Sequence, residues 1–130
     1  GWDFSGTSKA TDFLNYLKSI GRCKNQNDLL KKGSKDDLLC MAYIKAMDNY
    51  FEVDAAIKFA EAAVKKNPKS YTFHIIRALI KAQKAMSTDW CSVYQLAHNV
   101  RTNTTLERDM NDEAIKIIFD YMDLYKDECK

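Results

Sequence analysis

Residues that interrupt helices are scarce in this chain of 130 residues, which contains one proline and four glycines. The alternation of β-branched and polar residues that is typical of half-buried strands is nearly absent. Apolar residues instead recur at steps of three and four, as in Ala10, Phe13, Leu14 and Leu17, which is the spacing of one helix face. The sequence therefore predicts an all-α fold without a β-sheet. We expect a single domain, residues 1–130, of five or six helices packed as helical hairpins.

Local signals place the ends of these helices. Gly21 is expected to end the first helix, and Pro68 ends another because proline cannot continue the hydrogen-bond ladder of a helix. Ser70 and Asp89 can each accept a hydrogen bond from a backbone N–H at a helix start. The predicted helices lie near residues 9–20, 35–50, 52–66, 70–86, 89–100 and 107–127.

Two connections carry expectations of their own. The polar stretch 24–33 is predicted to contain at most one helical turn. Thr104 and Glu107 have the Thr-x-x-Glu spacing of a capping box, in which two residues satisfy each other's backbone donors at a helix start. The last helix is therefore expected to begin at about Glu107.

The chain also has little net charge. Its 20 Lys and Arg residues against 18 Asp and Glu residues leave +2, far from the positive excess that nucleic-acid binders normally carry. No apolar run approaches the roughly 20 residues that are needed to cross a bilayer. We expect neither a nucleic-acid partner nor a membrane span.

Histidine occurs only at His74 and His98, so few bases are available to activate a serine or cysteine nucleophile. His74 stands beside Phe73 and Ile75 in a predicted helix, which is a setting typical of a core residue. The chain has no glycine-rich phosphate loop and no His-Glu-x-x-His motif, and its cysteines lack the close pairs of zinc sites. The sequence therefore predicts no catalytic residue, no metal ligand and no cofactor, and a protein that is not an enzyme.

The four cysteines, Cys23, Cys40, Cys91 and Cys129, are widely separated. An even number of distant cysteines suits two disulfides in an exported protein, which would lie in the periplasm or be secreted. Four buried thiols in a cytosolic helical protein are the alternative. Four cysteines allow three connectivities, and their spacing does not choose among them. The first four residues lack the character of a signal peptide, and the chain could be a mature form.

Two resemblances point to alternative functions. Residues 52–86 resemble a tetratricopeptide repeat, with Ala56, Ala63 and Pro68 at suitable spacing but no convincing second copy, which implies a helical interaction module. The helical character and the cysteines are similar to those of insect odorant-binding proteins, although the cysteine spacing differs. That resemblance implies a secreted carrier of a small apolar ligand.

A third resemblance is more specific. Residues 40–48, Cys-Met-Ala-Tyr-Ile-Lys-Ala-Met-Asp, resemble the Cys-x-Gly-Tyr-Ile-x-Gly segment of the Tai/Rap family, with alanine at both glycine positions. The resemblance covers about 52 residues, some 40% of the chain, and ends at Cys91. Its further matches are Asn67-Pro68, Ala78-Leu79-Ile80 and Ala82.

Members of the Tai/Rap family are small helical periplasmic proteins that give immunity in the bacterial type VI secretion system. The resemblance implies that this chain is a non-enzymatic inhibitor, which binds and blocks a cognate peptidoglycan amidase effector. It also implies a disulfide between Cys40 and Cys91, which would leave Cys23 to pair with Cys129. The oligomeric state stays open, with a homodimer as one option.

An inhibitor has to present polar and aromatic groups on connections that firm helices hold in place. Two connections, residues 87–90 and 99–105, fit this requirement. We expect Asp89 to meet a cationic or donor group, Trp90 to bury apolar area at the centre of the contact, and Arg101 to bind a carboxylate. Asn103 is a further candidate on the second connection. The alternative roles are a helix cap for Asp89, a shield over a disulfide for Trp90 and a solvated side chain for Arg101.

Overall fold

The computed structural model describes residues 8–48, 53–86 and 88–129. These residues form seven α-helices, instead of the five or six predicted, and the prediction of an all-α fold is confirmed. Within the same ranges there is no strand, and no helix is long and apolar enough to cross a membrane. The helices are α1 (Lys9–Ser19), α2 (Gln26–Lys32), α3 (Lys35–Asp48), α4 (Asp54–Lys66), α5 (Tyr71–Ala85), α6 (Trp90–Arg101) and α7 (Asp112–Met122), followed by the 3-10 helix η1 (Asp123–Cys129).

Several helix ends lie where the sequence indicated. The Ser70 hydroxyl accepts from the backbone N–H of Phe73 at 3.2 Å and caps α5. Asp89 caps α6 by accepting from the N–H of Ser92 at 3.0 Å. Gly21 follows α1 with a φ of 75°, a left-handed conformation that residues with a Cβ rarely adopt. These ends could be predicted because each one depends on residues that are neighbours along the chain.

Two predictions about connections are wrong. The stretch that was expected to hold at most one turn contains α2, which has seven residues and is capped by Asn25. The last α-helix begins at Asp112 and not at Glu107, and its cap is Asn111, whose Oδ1 accepts from the N–H of Glu113 at 2.8 Å. The expected capping box therefore does not start this helix.

The segment that holds Glu107 packs back onto the start of α5. The N–H of Glu107 donates to the carbonyl of Lys69 at 2.6 Å, and the N–H of Tyr71 donates to the carbonyl of Glu107 at 2.9 Å. These bonds belong to an isolated parallel bridge between Ser70 and Glu107. Because its backbone is paired with a segment distant in sequence, Glu107 does not enter a helix.

Asp109 strengthens the same junction. Its carboxylate accepts from the hydroxyl of Ser70 and, at 2.8 Å, from the N–H of Thr72 in the first turn of α5. Burial raises the pKa of Asp109, but the hydrogen bonds from Ser70 and Thr72 outweigh it and hold the pKa below its ordinary value. The ionised carboxylate is therefore the form that the folded protein favours.

Asp109→Asn is expected to lower the free energy of unfolding by about 1 kcal/mol at neutral pH. The loss is no larger because solvent screens the charge of the exposed Asp109 carboxylate. Since the folded-state pKa lies below the unfolded one of about 3.9, the carboxylate stabilises the fold above that pH. The contribution is lost as the pH falls through the folded-state pKa. Urea unfolding from neutral to acidic pH should show the gap between parent and variant closing. A difference in unfolding free energy that stays constant with pH would contradict a stabilising role of the ionised Asp109 carboxylate. Asp112→Asn, which removes a highly exposed carboxylate, serves as the control.

The buried apolar side chains form two clusters. The first lies among α1 to α5 and contains Leu17 and Phe59, whereas the second lies among α5, α6 and α7 and contains Val93 and Phe119. Ile76 on α5 packs against both clusters. Along the chain, α3 packs against α4, α4 against α5, α5 against α6, and α6 against η1. The second cluster therefore supports the surface formed by α6, α7 and η1.

The structure joins Cys91 to Cys129, with the Sγ atoms 2.16 Å and the Cα atoms 4.6 Å apart. Both expected pairings, Cys40–Cys91 and Cys23–Cys129, are therefore wrong, and Cys23 and Cys40 are free thiols. Cys40 lies on α3, which packs against α1 and α4, whereas Cys91 lies on α6, which packs against α5 and η1. Desolvation and the carboxylate of Asp37 raise the pKa of the Cys40 thiol, so this exposed thiol is protonated at neutral pH.

Candidate protein-binding site

Asp89 and Trp90, two of the predicted partner contacts, lie side by side at the start of α6. The Asp89 carboxylate accepts from the hydroxyl of Ser92 at 2.6 Å and from its N–H at 3.0 Å. These hydrogen bonds hold the pKa of Asp89 below its ordinary value, so the side chain is charged at neutral pH. Asp89 is exposed, and its capping role leaves it accessible to a partner.

Trp90 belongs to a cluster of three aromatic rings. Its indole ring stacks on the ring of Tyr125, with the centroids 4.6 Å and the planes 20° apart. Tyr125 meets the ring of Tyr121 edge-on at 5.6 Å, and its hydroxyl donates to the Tyr121 hydroxyl at 3.1 Å. The disulfide joins Cys91, the residue after Trp90, to Cys129 at the end of η1. Tyr125 is thus carried by an element that is covalently tied to α6 beside Trp90.

Ile117 and Leu124 extend the aromatic cluster along α7 and η1. Ile117 and Tyr121 lie four residues apart on one side of α7, and Leu124 follows three residues later in η1. Ile117 is 64% exposed and Leu124 is 72% exposed. We call Trp90, Ile117, Tyr121, Leu124 and Tyr125 the aromatic strip. Tyr125 is half-buried and the other four side chains are exposed. Exposed apolar side chains that cluster in this way are typical of interaction sites in soluble proteins.

The surroundings of the aromatic strip are acidic. Residues 112–128 contain six Asp and Glu residues but only two lysines, Lys116 and Lys126. Three of the six carboxylates are paired within the chain: Asp120 with Lys116 at 2.7 Å, Asp123 with Arg101 at 2.8 Å and Asp112 with Arg108 at 3.5 Å. A complementary partner surface is therefore apolar at its centre and polar at its rim.

Arg101, the third predicted contact, lies at the other end of α6 and has a carboxylate partner within the chain. Two of its guanidinium nitrogens donate to the Asp123 carboxylate at 2.8 and 3.2 Å, and the guanidinium stands 4.3 Å from the ring centre of Phe119. The hydrogen bonds from Arg101 hold the pKa of Asp123 below its ordinary value. Arg101 therefore fastens the start of η1 to α6. Its guanidinium already binds the Asp123 carboxylate through two nitrogens, which is the contact that was expected with a partner's carboxylate.

Asn103, the fourth predicted contact, follows α6 and turns toward its own loop. Its Oδ1 accepts from the hydroxyl of Thr105 at 2.6 Å and from the N–H of Thr105 at 3.1 Å.

Since a helix rises about 1.5 Å per residue, Trp90 and Arg101 are separated by roughly 16 Å along α6. The four predicted residues therefore do not form one site. Asp89 and Trp90 lie at the aromatic strip, Arg101 holds η1 in place, and Asn103 lies elsewhere.

Sequence reasoning did not single out the part of the strip that α7 and η1 supply. One signal could have revealed it. Ile115 and Phe119 are buried on one side of α7, whereas Ile117 and Tyr121 lie at i and i+4 on an exposed side, and Leu124 continues their spacing in sequence into η1. A helix with a second stripe outside its core-facing stripe has apolar surface left for another contact.

The two histidines lie outside the aromatic strip and are hydrogen-bonded. His74 Nε2 lies 2.8 Å from the carbonyl of Pro68, and His98 Nδ1 lies 2.9 Å from a guanidinium nitrogen of Arg101. In the part of the chain that the structure describes, no group of three or more His, Cys, Asp or Glu residues could hold a metal ion. The chemistry of the strip is that of a contact surface, with aromatic faces, apolar side chains and carboxylates.

Comparison of the chain with protein-family models, with curated proteins and with solved structures finds no match. The resemblance to the Tai/Rap family accordingly depends on the matched residues between Cys40 and Cys91.

Proposed function

We propose that this chain is a non-enzymatic protein that acts by binding a protein partner through the aromatic strip. The observation that carries the proposal is the surface cluster of Trp90, Tyr125 and Tyr121, extended by the exposed Ile117 and Leu124. Tyrosine and tryptophan bury a large area with few rotatable bonds, and they are enriched among the residues that dominate binding energies.

The strip is held firmly, which favours binding. The disulfide ties η1 to the first turn of α6, and the pair of Arg101 and Asp123 fastens the other end of η1. Little ordering of the backbone is then needed when a partner arrives, so less of the contact energy is lost to entropy. In this proposal the whole chain acts as one domain whose successive helices form hairpins.

We further propose that the partner is a peptidoglycan amidase effector and that the chain is its immunity protein in the periplasm or outside the cell. The resemblance of residues 40–91 to the Tai/Rap family supports this choice of partner. The Cys91–Cys129 disulfide supports the location, because disulfides persist in oxidising compartments. The pairing of Cys40 with Cys91 that the resemblance implied is not part of this support.

Trp90→Ala and Tyr121→Ala are each expected to weaken partner binding by at least about 30-fold, the effect of losing a central aromatic contact. The partner would be captured from an extract of the producing organism, purified, and titrated with each variant by calorimetry. Tyr43→Ala is the matched control, because Tyr43 is 54% exposed on α3, away from the strip. It should bind within about twofold of the parent.

Three outcomes separate the parts of this proposal. Equal binding by Trp90→Ala, Tyr121→Ala and Tyr43→Ala would show that the contact lies outside the strip. A partner without peptidoglycan amidase activity would contradict the immunity function alone. An amidase whose hydrolysis of peptidoglycan stops at one equivalent of the chain, and continues with Tyr121→Ala, would support both parts. Self-association lost in the same variants would identify a homodimer instead.

A further inference from the structure

A second surface, on the opposite half of the chain, combines an apolar floor with a cationic rim. It is a groove of about 500 Å³ between α2 and α4. Leu30, Ile57 and Ala62 are half-buried and contribute the floor. We call this surface the lysine groove, because its rim is formed by Lys31 on α2 and by Lys58 and Lys65 on α4.

The charges at the rim are available to a ligand. Lys31, Lys58 and Lys65 are exposed, and none of them forms an ion pair with a carboxylate in residues 8–48, 53–86 and 88–129. Among the residues that the structure describes, Glu61 is the one acidic side chain that lines the groove, and it is bound by Lys81 and, at 3.1 Å, by Arg77. The groove therefore presents a positive field that its own carboxylate does not neutralise.

The walls of the groove are fixed relative to each other. The ammonium group of Lys66 on α4 donates to the carbonyl of Gly33 at the end of α2. Leu29 of α2 is fully buried in the first core cluster. A Cβ at Gly33 would lie 2.5 Å from the carbonyl oxygen of Leu29, so the end of α2, to which Lys66 is bonded, requires glycine. A ligand would meet a preformed surface.

The distance between the lysines favours a ligand that carries several negative charges along its length. Lys58 and Lys65 lie seven residues apart on α4, which is roughly 10 Å along the helix axis. A fatty acid carries one charge at one end and could reach only one of these positions. An amphipathic helix with carboxylates along both sides of an apolar stripe could reach both, and its apolar side chains would lie against Leu30 and Ile57.

We propose that the lysine groove binds an acidic amphipathic helix of a protein partner, independently of the aromatic strip. Leucine-sized side chains of the bound helix contact the floor, and its Glu or Asp residues pair with Lys31, Lys58 and Lys65. Because the rim charges are exposed, they steer association and select an acidic partner more than they add affinity. Binding weakens as the salt concentration rises.

The test uses a fluorescein-labelled peptide of about 15 residues, built from Leu, Glu and Ala with leucines at i, i+3, i+4 and i+7. A scrambled peptide of the same composition has the same charge but no apolar stripe. The chain variant Lys58→Glu/Lys65→Glu is compared with Lys116→Glu/Lys126→Glu, which changes the net charge equally on α7 and η1. Fluorescence anisotropy measures binding, and sodium oleate is tested as a competitor.

We expect saturable binding of the amphipathic peptide, at least about tenfold weaker binding of the scrambled peptide, and at least about tenfold weaker binding by Lys58→Glu/Lys65→Glu. The Lys116→Glu/Lys126→Glu control should bind within about threefold of the parent. Equal affinity for both peptides, or an equal loss in both double variants, would reduce the groove to a site of non-specific charge attraction and overturn the proposal. Binding of oleate without binding of the peptide would overturn it in favour of an anionic lipid.

Discussion

The double variant Cys91→Ser/Cys129→Ser is expected to be about 4 kcal/mol less stable than the parent protein. The disulfide spans a sequence separation of 38 residues, and closing a loop of that length restricts the unfolded chain by about this much in the chain-entropy model. η1 has no buried residue, so it depends on the disulfide and on the contacts of Tyr125 and Asp123 with α6. Urea unfolding measures the stability, and amide hydrogen exchange should accelerate first in residues 123–129.

Cys40→Ser is the control for this experiment. Cys40 is a free, exposed thiol, and its replacement should change the free energy of unfolding by less than about 0.5 kcal/mol. A loss at Cys40 comparable to the loss at Cys91 would contradict the observed pairing. Peptide mapping without reduction gives an independent answer, because it should recover the peptide of Cys91 linked to that of Cys129.

Phe59→Ala is expected to lower the free energy of unfolding by about 3–5 kcal/mol, the usual cost of removing a buried aromatic ring. Phe59 is 1% exposed and lies in the first core cluster, among side chains from α1 to α5. The lost ring leaves a cavity that close-packed neighbours fill only in part. Thermal and urea unfolding measure the change.

Ile117→Ala provides the comparison, since Ile117 is 64% exposed and its truncation should cost less than about 1 kcal/mol. Similar losses in the two variants would contradict the assignment of Phe59 to a core and of Ile117 to the surface. Phe59→Leu, with a smaller cavity, should lie between the parent and Phe59→Ala, which keeps the test informative where alanine prevents folding.

The helices were predictable where a residue signals its own local structure. Ser70 and Asp89 accept hydrogen bonds from N–H groups three residues ahead, so the sequence alone locates the starts of α5 and α6. Glu107 shows where such reasoning ends. It fits a capping box with Thr104, yet its backbone is hydrogen-bonded to Lys69 and Tyr71, which are distant in sequence. These long-range hydrogen bonds form instead of the predicted helix start.

The candidate site was predictable in part for the same reason. The aromatic character of Trp90 and its place at a helix start are visible in the sequence. Its stacking on Tyr125 depends on how η1 folds back onto α6, and the position of η1 depends on a disulfide whose pairing cysteine spacing does not determine. Likewise, the carboxylate that occupies Arg101 belongs to Asp123, which lies beyond the next helix.

Helix α5 supplies buried side chains to both core clusters: Phe73 and Ile80 belong to the first, and Ile75 and Ala82 belong to the second. A backbone break between α4 and α5 would remove one wall of the first core, and a break between α5 and α6 would remove one wall of the second. The fragments on either side of such a break would each expose apolar surface that only the other could cover. The chain is therefore suited to fragment complementation, in which two fragments that do not fold alone regain the fold on mixing. The fragment that contains α5 would be the template on which the other fragment folds.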